Sequence, residues 1–277
     1  MINEKHRYIK NDELNPVDIE FLANNRSFLY GDSVFETMLK LKGTIQLYNH
    51  HIARLKKSIN LFGLELSNEK EMQLMDELLT IPFEHARIRL TIYRASGGFY
   101  KPVSNEAQYL IDAIPLQQDH YVLNTKGLSL ISFTQHVKSI QPLSSIKSAN
   151  AALYVLSANF AKQFDFDEAL ILNERKRICE TSSSNLFILK GKELQTPALS
   201  EACLPGIMRN RVIELAQELG IQVIENKLDT SELIDADEIW LSNSIKGVQW
   251  VGAWEQKRYF SKQAKKMVQL LNQNIQL

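Results

Sequence analysis

The chain has 277 residues, 44% of them hydrophobic and 23% charged, which suits one large domain or two modest ones. Its 32 basic and 32 acidic residues cancel, arguing against a broad nucleic-acid or anionic-membrane surface. No apolar run approaches the roughly 20 residues of a membrane span. The opening MINEKHRYIKNDELNP lacks an apolar signal core, and Cys179 and Cys203 form neither a disulfide framework nor a metal spacing. A cytoplasmic protein with reduced thiols and no metal site is expected.

Residues 7–22 carry a short strand signal and then a turn or helix start at Pro16-Val17-Asp18. Residues 34–41 alternate as a strand, Lys42-Gly43 turns the chain, and 44–48 return. From Asn49, an N-cap, a helix runs to Gly63 with Ile52, Leu55, Ile59 and Phe62 as its buried stripe. A second amphipathic helix covers 68–79, and strands follow over 87–94 and 108–113 around the loop at 95–100. The polar segment 115–121 reads as a linker. This divides a small N-terminal domain, 1–114, from a larger C-terminal one, 122–277.

The second half opens with a strand at 128–133 and a helix over 149–163. Strand 168–172 turns over 173–176 and returns towards Glu180; strand 185–189 turns at 190–192. The stretch LPGIMRNRVIELAQELG runs from a Pro-Gly loop into a helix ending at Gly220. Strand 222–225 follows, then DADEIWLSNSIKGVQWV as strand, polar turn and strand, and a closing helix at 261–269. Alternating strands and helices with several hairpins make the fold α/β (α+β) with mixed sheets. Pattern alone does not choose the topology.

Two residues in the second half invite chemistry. Lys147 stands on a short polar approach to a helix, and Glu180 lies between two strand signals before three hydroxyl residues. Together they are either a surface ion pair or the two contacts of a pyridoxal phosphate ring, an amine for its Schiff base and an anion for its nitrogen. Three features suit a phosphate: the helix start at Gly206-Ile207-Met208-Arg209, the strand end Leu241-Ser242-Asn243-Ser244, and Arg54, whose guanidinium forks two bonds. Each also reads as ordinary structure: a loop-to-helix start, a turn, a helix-surface arginine.

The order of these pieces resembles the fold-type IV pyridoxal phosphate enzymes, the class IV aminotransferase family. The matching segments are NRSFLYGDSVFET, HIARL, YRASGG, IKSAN, DEALILN with ETSSSNLF, PGIMR and ADEIWLSNS, spread over nearly the whole chain. The resemblance implies a two-domain, D-amino acid aminotransferase-like fold with the cofactor between the domains, and a homodimer. It implies that Lys147 is the Schiff-base lysine, that Glu180 holds the pyridine nitrogen protonated, and that Arg54, the Ile207 and Met208 backbone and Ser244 cradle the phosphate. Tyr30, Phe35, Thr37, Arg94, Tyr100 and Ser183 are expected to line the substrate pocket. The aromatic residues also suit a core, and Arg94 also suits a structural pair with Asp32.

Two positions depart from the family pattern. Met208 stands where many members have threonine, and Ala152 stands where branched-chain aminotransferases have a tyrosine touching the cofactor's phenolic oxygen. FETM at 35–38 and RASGG at 94–98 resemble the aminodeoxychorismate lyases of the family. The expected activity is therefore release of p-aminobenzoate and pyruvate from 4-amino-4-deoxychorismate, a folate-pathway step. The alternative is a branched-chain or D-amino acid aminotransferase using 2-oxoglutarate.

Overall fold

The computed structural model describes residues 8–11 and 23–275. The turn or helix start expected at Pro16-Val17-Asp18 lies outside them. The chain forms two compact units, the first running to Asp119 and including Lys147–Asn150, the second His120–Ile146 with Ala151–Ile275.

The first unit is built on a five-stranded sheet of order β1-β5-β4-β2-β3. Its strands are β1 (Tyr8–Asn11), β2 (Ser33–Leu41), β3 (Thr44–Ile45), β4 (Ala86–Arg94) and β5 (Ala107–Pro115). Among the described residues its helices include α1 (Arg26–Tyr30), α2 (Tyr48–Leu61) and α3 (Asn68–Leu79). Strand pleating sends alternate residues to opposite faces. On one face of β2 and β4, Val34, Glu36, Met38, Ile88, Leu90 and Ile92 are buried. The other face carries the half-buried Phe35, Thr37, Arg89 and Thr91. Helix α2 buries His51, Leu55, Ser58 and Ile59, while the expected stripe members Ile52 and Phe62 are only half-buried. It begins one residue before the expected cap, after Leu47 in a left-handed conformation with φ 55°.

Residues 147–150 return to this sheet although they lie far along the sequence. Phe35 N–H donates to Lys147 O at 2.8 Å and Ala149 N–H to Ser33 O at 3.0 Å. Val34 and Ser148 form an antiparallel bridge. A division by sequence position alone puts Lys147 in the C-terminal domain, but its backbone is bonded to β2.

The second unit holds a nine-stranded sheet, order β11-β10-β9-β12-β13-β6-β7-β8, with β14 beside β13. In chain order these are β6 (Leu128–Lys138), β7 (Glu168–Asn173), β8 (Ile178–Thr181), β9 (Asn185–Lys190), β10 (Glu193–Pro197), β11 (Gln222–Asn226), β12 (Glu238–Asn243), β13 (Gly247–Trp254) and β14 (Lys257–Arg258). Helices α4 (Ala152–Gln163), α5 (Ile207–Glu218) and α6 (Lys262–Gln273) accompany them. Leu170, Ile178, Leu186, Ile239 and Val251 are fully buried in the main core cluster of this unit. Two boundaries differ from expectation in a way that matters. Strand β6 runs past Phe133 to Lys138, because pairing with β7 resumes at Lys138–Asn173 after an irregularity. Helix α4 starts at Ala152, leaving 147–151 extended or turning.

Candidate active site

In the first unit, Lys147 is half-buried, with its Nζ 4.5 Å from the centroid of the Phe35 ring. The Arg89 guanidinium carbon lies 3.7 Å from the same centroid. Thr37 sits across the strand pair from Arg89. An aromatic ring attracts cations to its faces, so Phe35 gathers two of them on the half-buried side of the sheet. Arg89 was not singled out in the sequence, because its alternation in RIRL reads as an ordinary solvated strand position.

Behind this face, Glu36 is fully buried and binds two basic residues. Its Oε2 lies 2.7 Å from His51 Nδ1, while Arg54 donates from Nε to Oε1 at 2.7 Å and from Nη2 to Oε2 at 2.6 Å. Burial pushes the Glu36 carboxyl up, but the charge and hydrogen bonds of Arg54 and His51 outweigh it and hold the carboxyl at about 2. Burial pushes the His51 imidazole down, against the pull of Glu36. The expected phosphate ligand Arg54 is thus fixed in orientation by a bidentate carboxylate.

Arg94 is placed differently from its expectation as a substrate-pocket residue. Its guanidinium donates to Asp32 Oδ2 at 2.9 Å, Asn105 Oδ1 at 2.6 Å, Phe62 O at 2.7 Å and Gly63 O at 3.2 Å. Four of the five N–H donors of an arginine are spent there on the fold, in line with its structural pairing to Asp32. Tyr30 and Tyr100 meet each other, ring centroids 5.5 Å apart, beside Arg26 at 5.0 Å from the Tyr30 ring. Tyr100 is largely exposed.

In the second unit, Glu180 is buried and accepts three hydrogen bonds. Lys138 Nζ and the Tyr154 hydroxyl reach Oε1 at 2.5 and 2.7 Å, and Leu204 N–H reaches Oε2 at 3.0 Å. An ionised carboxylate offers about four lone-pair directions. Three are taken, and one on Oε2 is left for a further N–H donor. Neither Lys138 nor Tyr154 emerged from the sequence. Lys138 lies beyond the expected end of its strand, and Tyr154 is two residues past the position, Ala152, where a tyrosine was sought.

Helix α5 begins at Gly206 without a side-chain cap. Its first-turn N–H groups, those of Ile207 and Met208 among them, have no intrahelical partner. Gly206 fits closely: a Cβ there would come within 1.9 Å of Asn185 Oδ1. Asn185 pairs across from Ser242 and donates to Leu204 O, in the loop that feeds α5. Cross-strand partners share a sheet face. The Ser242 Oγ on that face is buried and unpartnered. Ser244 is half-buried in the following turn, while Ser183 is exposed and donates to Glu168 Oε1 at 2.6 Å. Among the described residues no cluster of metal-ligating side chains occurs.

A lysine beside an aromatic ring, a buried carboxylate with one open lone pair, and an uncapped helix start near an orphan hydroxyl fit the reactive groups of pyridoxal phosphate in kind. The family model for amino-transferase class IV matches residues 33–254, and the chain belongs to that family. It is a pyridoxal phosphate-dependent enzyme. Over 227 residues it is 29% identical to aminodeoxychorismate lyase of Vibrio harveyi, covering 81% of this chain and 83% of that one. A putative branched-chain-amino-acid aminotransferase of Methanocaldococcus jannaschii is 28% identical over 243 residues, covering 86% and 83%. The crystal structure of a putative 4-amino-4-deoxychorismate lyase from Legionella pneumophila superposes with a TM-score of 0.81 at 25% identity, covering 95% and 97%. The fold is that of the fold-type IV enzymes.

Proposed function

We propose that the chain is a 4-amino-4-deoxychorismate lyase, releasing p-aminobenzoate and pyruvate. The observation that carries its cofactor chemistry is the Glu180 carboxylate, buried, anchored by three donors and open at one lone pair. The choice of lyase is supported by FETM at 35–38, by RASGG at 94–98 and by the likeness to the Vibrio harveyi enzyme. The likeness to the Methanocaldococcus jannaschii protein supports the second reading, an amino-acid aminotransferase of branched-chain or D-amino acid type using 2-oxoglutarate.

In this reading Lys147 holds the cofactor covalently. Its amine, when free, takes the proton from the substrate carbon that bears the amino group. Glu180 accepts the N–H of the ring nitrogen. Arg54, the α5 N-terminal amides and the hydroxyls of Ser242 and Ser244 hold the phosphate. The bound cofactor supplies an electron sink for the carbanion. Loss of that proton and cleavage of the ether to the enolpyruvyl group leave an aromatic ring, and the departing enol takes a proton to become pyruvate. Phe35 and Thr37 line the substrate side, with Arg89 rather than Arg94 receiving a substrate carboxylate. Tyr30, Tyr100 and Ser183 stay as outer candidates. We read the enzyme as a cytoplasmic homodimer acting on small molecules. No helix among the described residues is long and apolar enough to cross a membrane.

A paired assay tests the proposal. The protein loaded with pyridoxal phosphate is given 4-amino-4-deoxychorismate and p-aminobenzoate is measured. In parallel it is given leucine or D-alanine with 2-oxoglutarate and glutamate is measured. Formation of p-aminobenzoate alone is expected; glutamate formation without it contradicts the lyase reading.

A further inference from the structure

Lys138 has no task in the chemistry above, yet it is only 6% exposed. Its Nζ bonds Glu180 Oε1 at 2.5 Å and Ser144 O at 3.1 Å, and stands 5.3 Å from the Tyr154 ring centroid. A buried ammonium is costly and is retained where it has a partner. Here that partner is the carboxylate assigned to the ring nitrogen.

The groups around that carboxylate come from four places: Lys138 from β6, Tyr154 from α4, Cys179 from β8 and Cys203 from the loop before α5. Burial pushes the Tyr154 hydroxyl and the Cys179 thiol far up, and the Cys203 thiol to about 11, so all three stay neutral near pH 7. Nearby Glu201 is taken by Asn173 and Arg177, and Arg209 by Glu225. Among the described residues Lys138 is therefore the cation bonded to Glu180.

We propose that Lys138 divides the charge of Glu180 and so weakens its hold on the proton of the cofactor's ring nitrogen, making this enzyme's electron sink a moderate one. The proposal rests on the reading that Glu180 pairs with that nitrogen. A carboxylate already bonded to an ammonium is a poorer base towards a second cation, and a like charge nearby disfavours protonation of the nitrogen. The effect has a fixed sign, because removing a neighbouring cation always makes a nitrogen easier to protonate. A moderate sink suits a lyase whose product ring becomes aromatic, since aromatisation supplies part of the driving force.

The test loads wild type, Lys138→Gln and Lys138→Arg with pyridoxal phosphate labelled with 15N in the ring, and follows the nitrogen's chemical shift against pH. Lys138→Gln should raise the nitrogen's pKa by about one to two units. Lys138→Arg, which keeps the charge, should leave it near the wild-type value. Thermal unfolding runs in parallel, since a merely structural lysine would lower the melting temperature and leave the nitrogen unmoved. A folded, loaded Lys138→Gln with an unchanged nitrogen pKa overturns the proposal. Glu180→Gln is the control on the underlying reading: it should lower the nitrogen's pKa, and if it does not, the pairing of Glu180 with the ring is itself wrong. Should Lys138→Gln not fold, the wild type decides. Proton loss from the nitrogen before alkaline unfolding supports the proposal, and a nitrogen protonated up to unfolding overturns it.

Discussion

Replacing Glu36 with glutamine should cost the first unit about 3 kcal/mol of stability at neutral pH. The carboxyl titrates at about 2 instead of 4.5. Each pKa unit of that gap is worth about 1.4 kcal/mol. Glu36 is 1% exposed, so solvent screening takes little from the figure. The sign follows from the direction of the shift. A carboxyl whose folded pKa is depressed stabilises fully above its unfolded value, near 4.5, and loses that contribution as the pH falls through about 2. Glutamine has no such titration, so the variant should be weaker at neutral pH and flatter across that acid window. Urea unfolding of wild type and Glu36→Gln at a series of pH values from neutral to acid measures both effects. A loss below about 1 kcal/mol at neutral pH, or an equally steep acid dependence in the variant, would refute the view that Arg54 and His51 are organised on this carboxylate.

The two arginines of β4 should separate cleanly. Arg89→Met should raise KM for the substrate with little change in unfolding, whereas Arg94→Met should lower stability by about 2 kcal/mol or more through its lost hydrogen bonds; steady-state kinetics and urea unfolding of both variants would show a reversal if the assignment is wrong. Gly206→Ala sets a methyl 1.9 Å from Asn185 Oδ1 and must displace the start of α5. Its affinity for pyridoxal phosphate should fall by about tenfold or more, the scale of one lost charge-assisted hydrogen bond, measured by titrating the apoprotein. Unchanged affinity would remove the α5 N-terminus from the phosphate site.

Much of the framework was legible because it is local. Alternation in 34–41 and 87–94, helical spacing in 49–63 and 68–79, and the Lys42-Gly43 turn each depend on neighbours in sequence. What escaped depends on register and long-range return. Lys138 required knowing that β6 resumes pairing with β7 after an irregularity. Glu36 read as one polar position in an alternating strand, and only the fold brings His51 and Arg54 onto it. Arg94 was the more conspicuous arginine, at a strand end beside a glycine loop, yet its hydrogen bonds go to carbonyls at 62 and 63 that no local pattern connects to it. The polar run 241–244 suits a phosphate as a group and the family resemblance implies Ser244 within it, while the orphan hydroxyl belongs to Ser242, two residues earlier on the strand itself. Met208 contributes its backbone amide to the uncapped helix start, so the missing threonine hydroxyl leaves that amide in place.

The central claim is that Lys147, bonded into the sheet of the first unit beside Phe35, carries the cofactor. Reduction of the loaded protein with borohydride, followed by proteolysis and mass spectrometry, locates the covalent attachment. A phosphopyridoxyl group is expected on Lys147, with no attachment and no visible absorption band in Lys147→Ala. Attachment to Lys138 or another lysine, or none at all in protein that holds the cofactor, would contradict it.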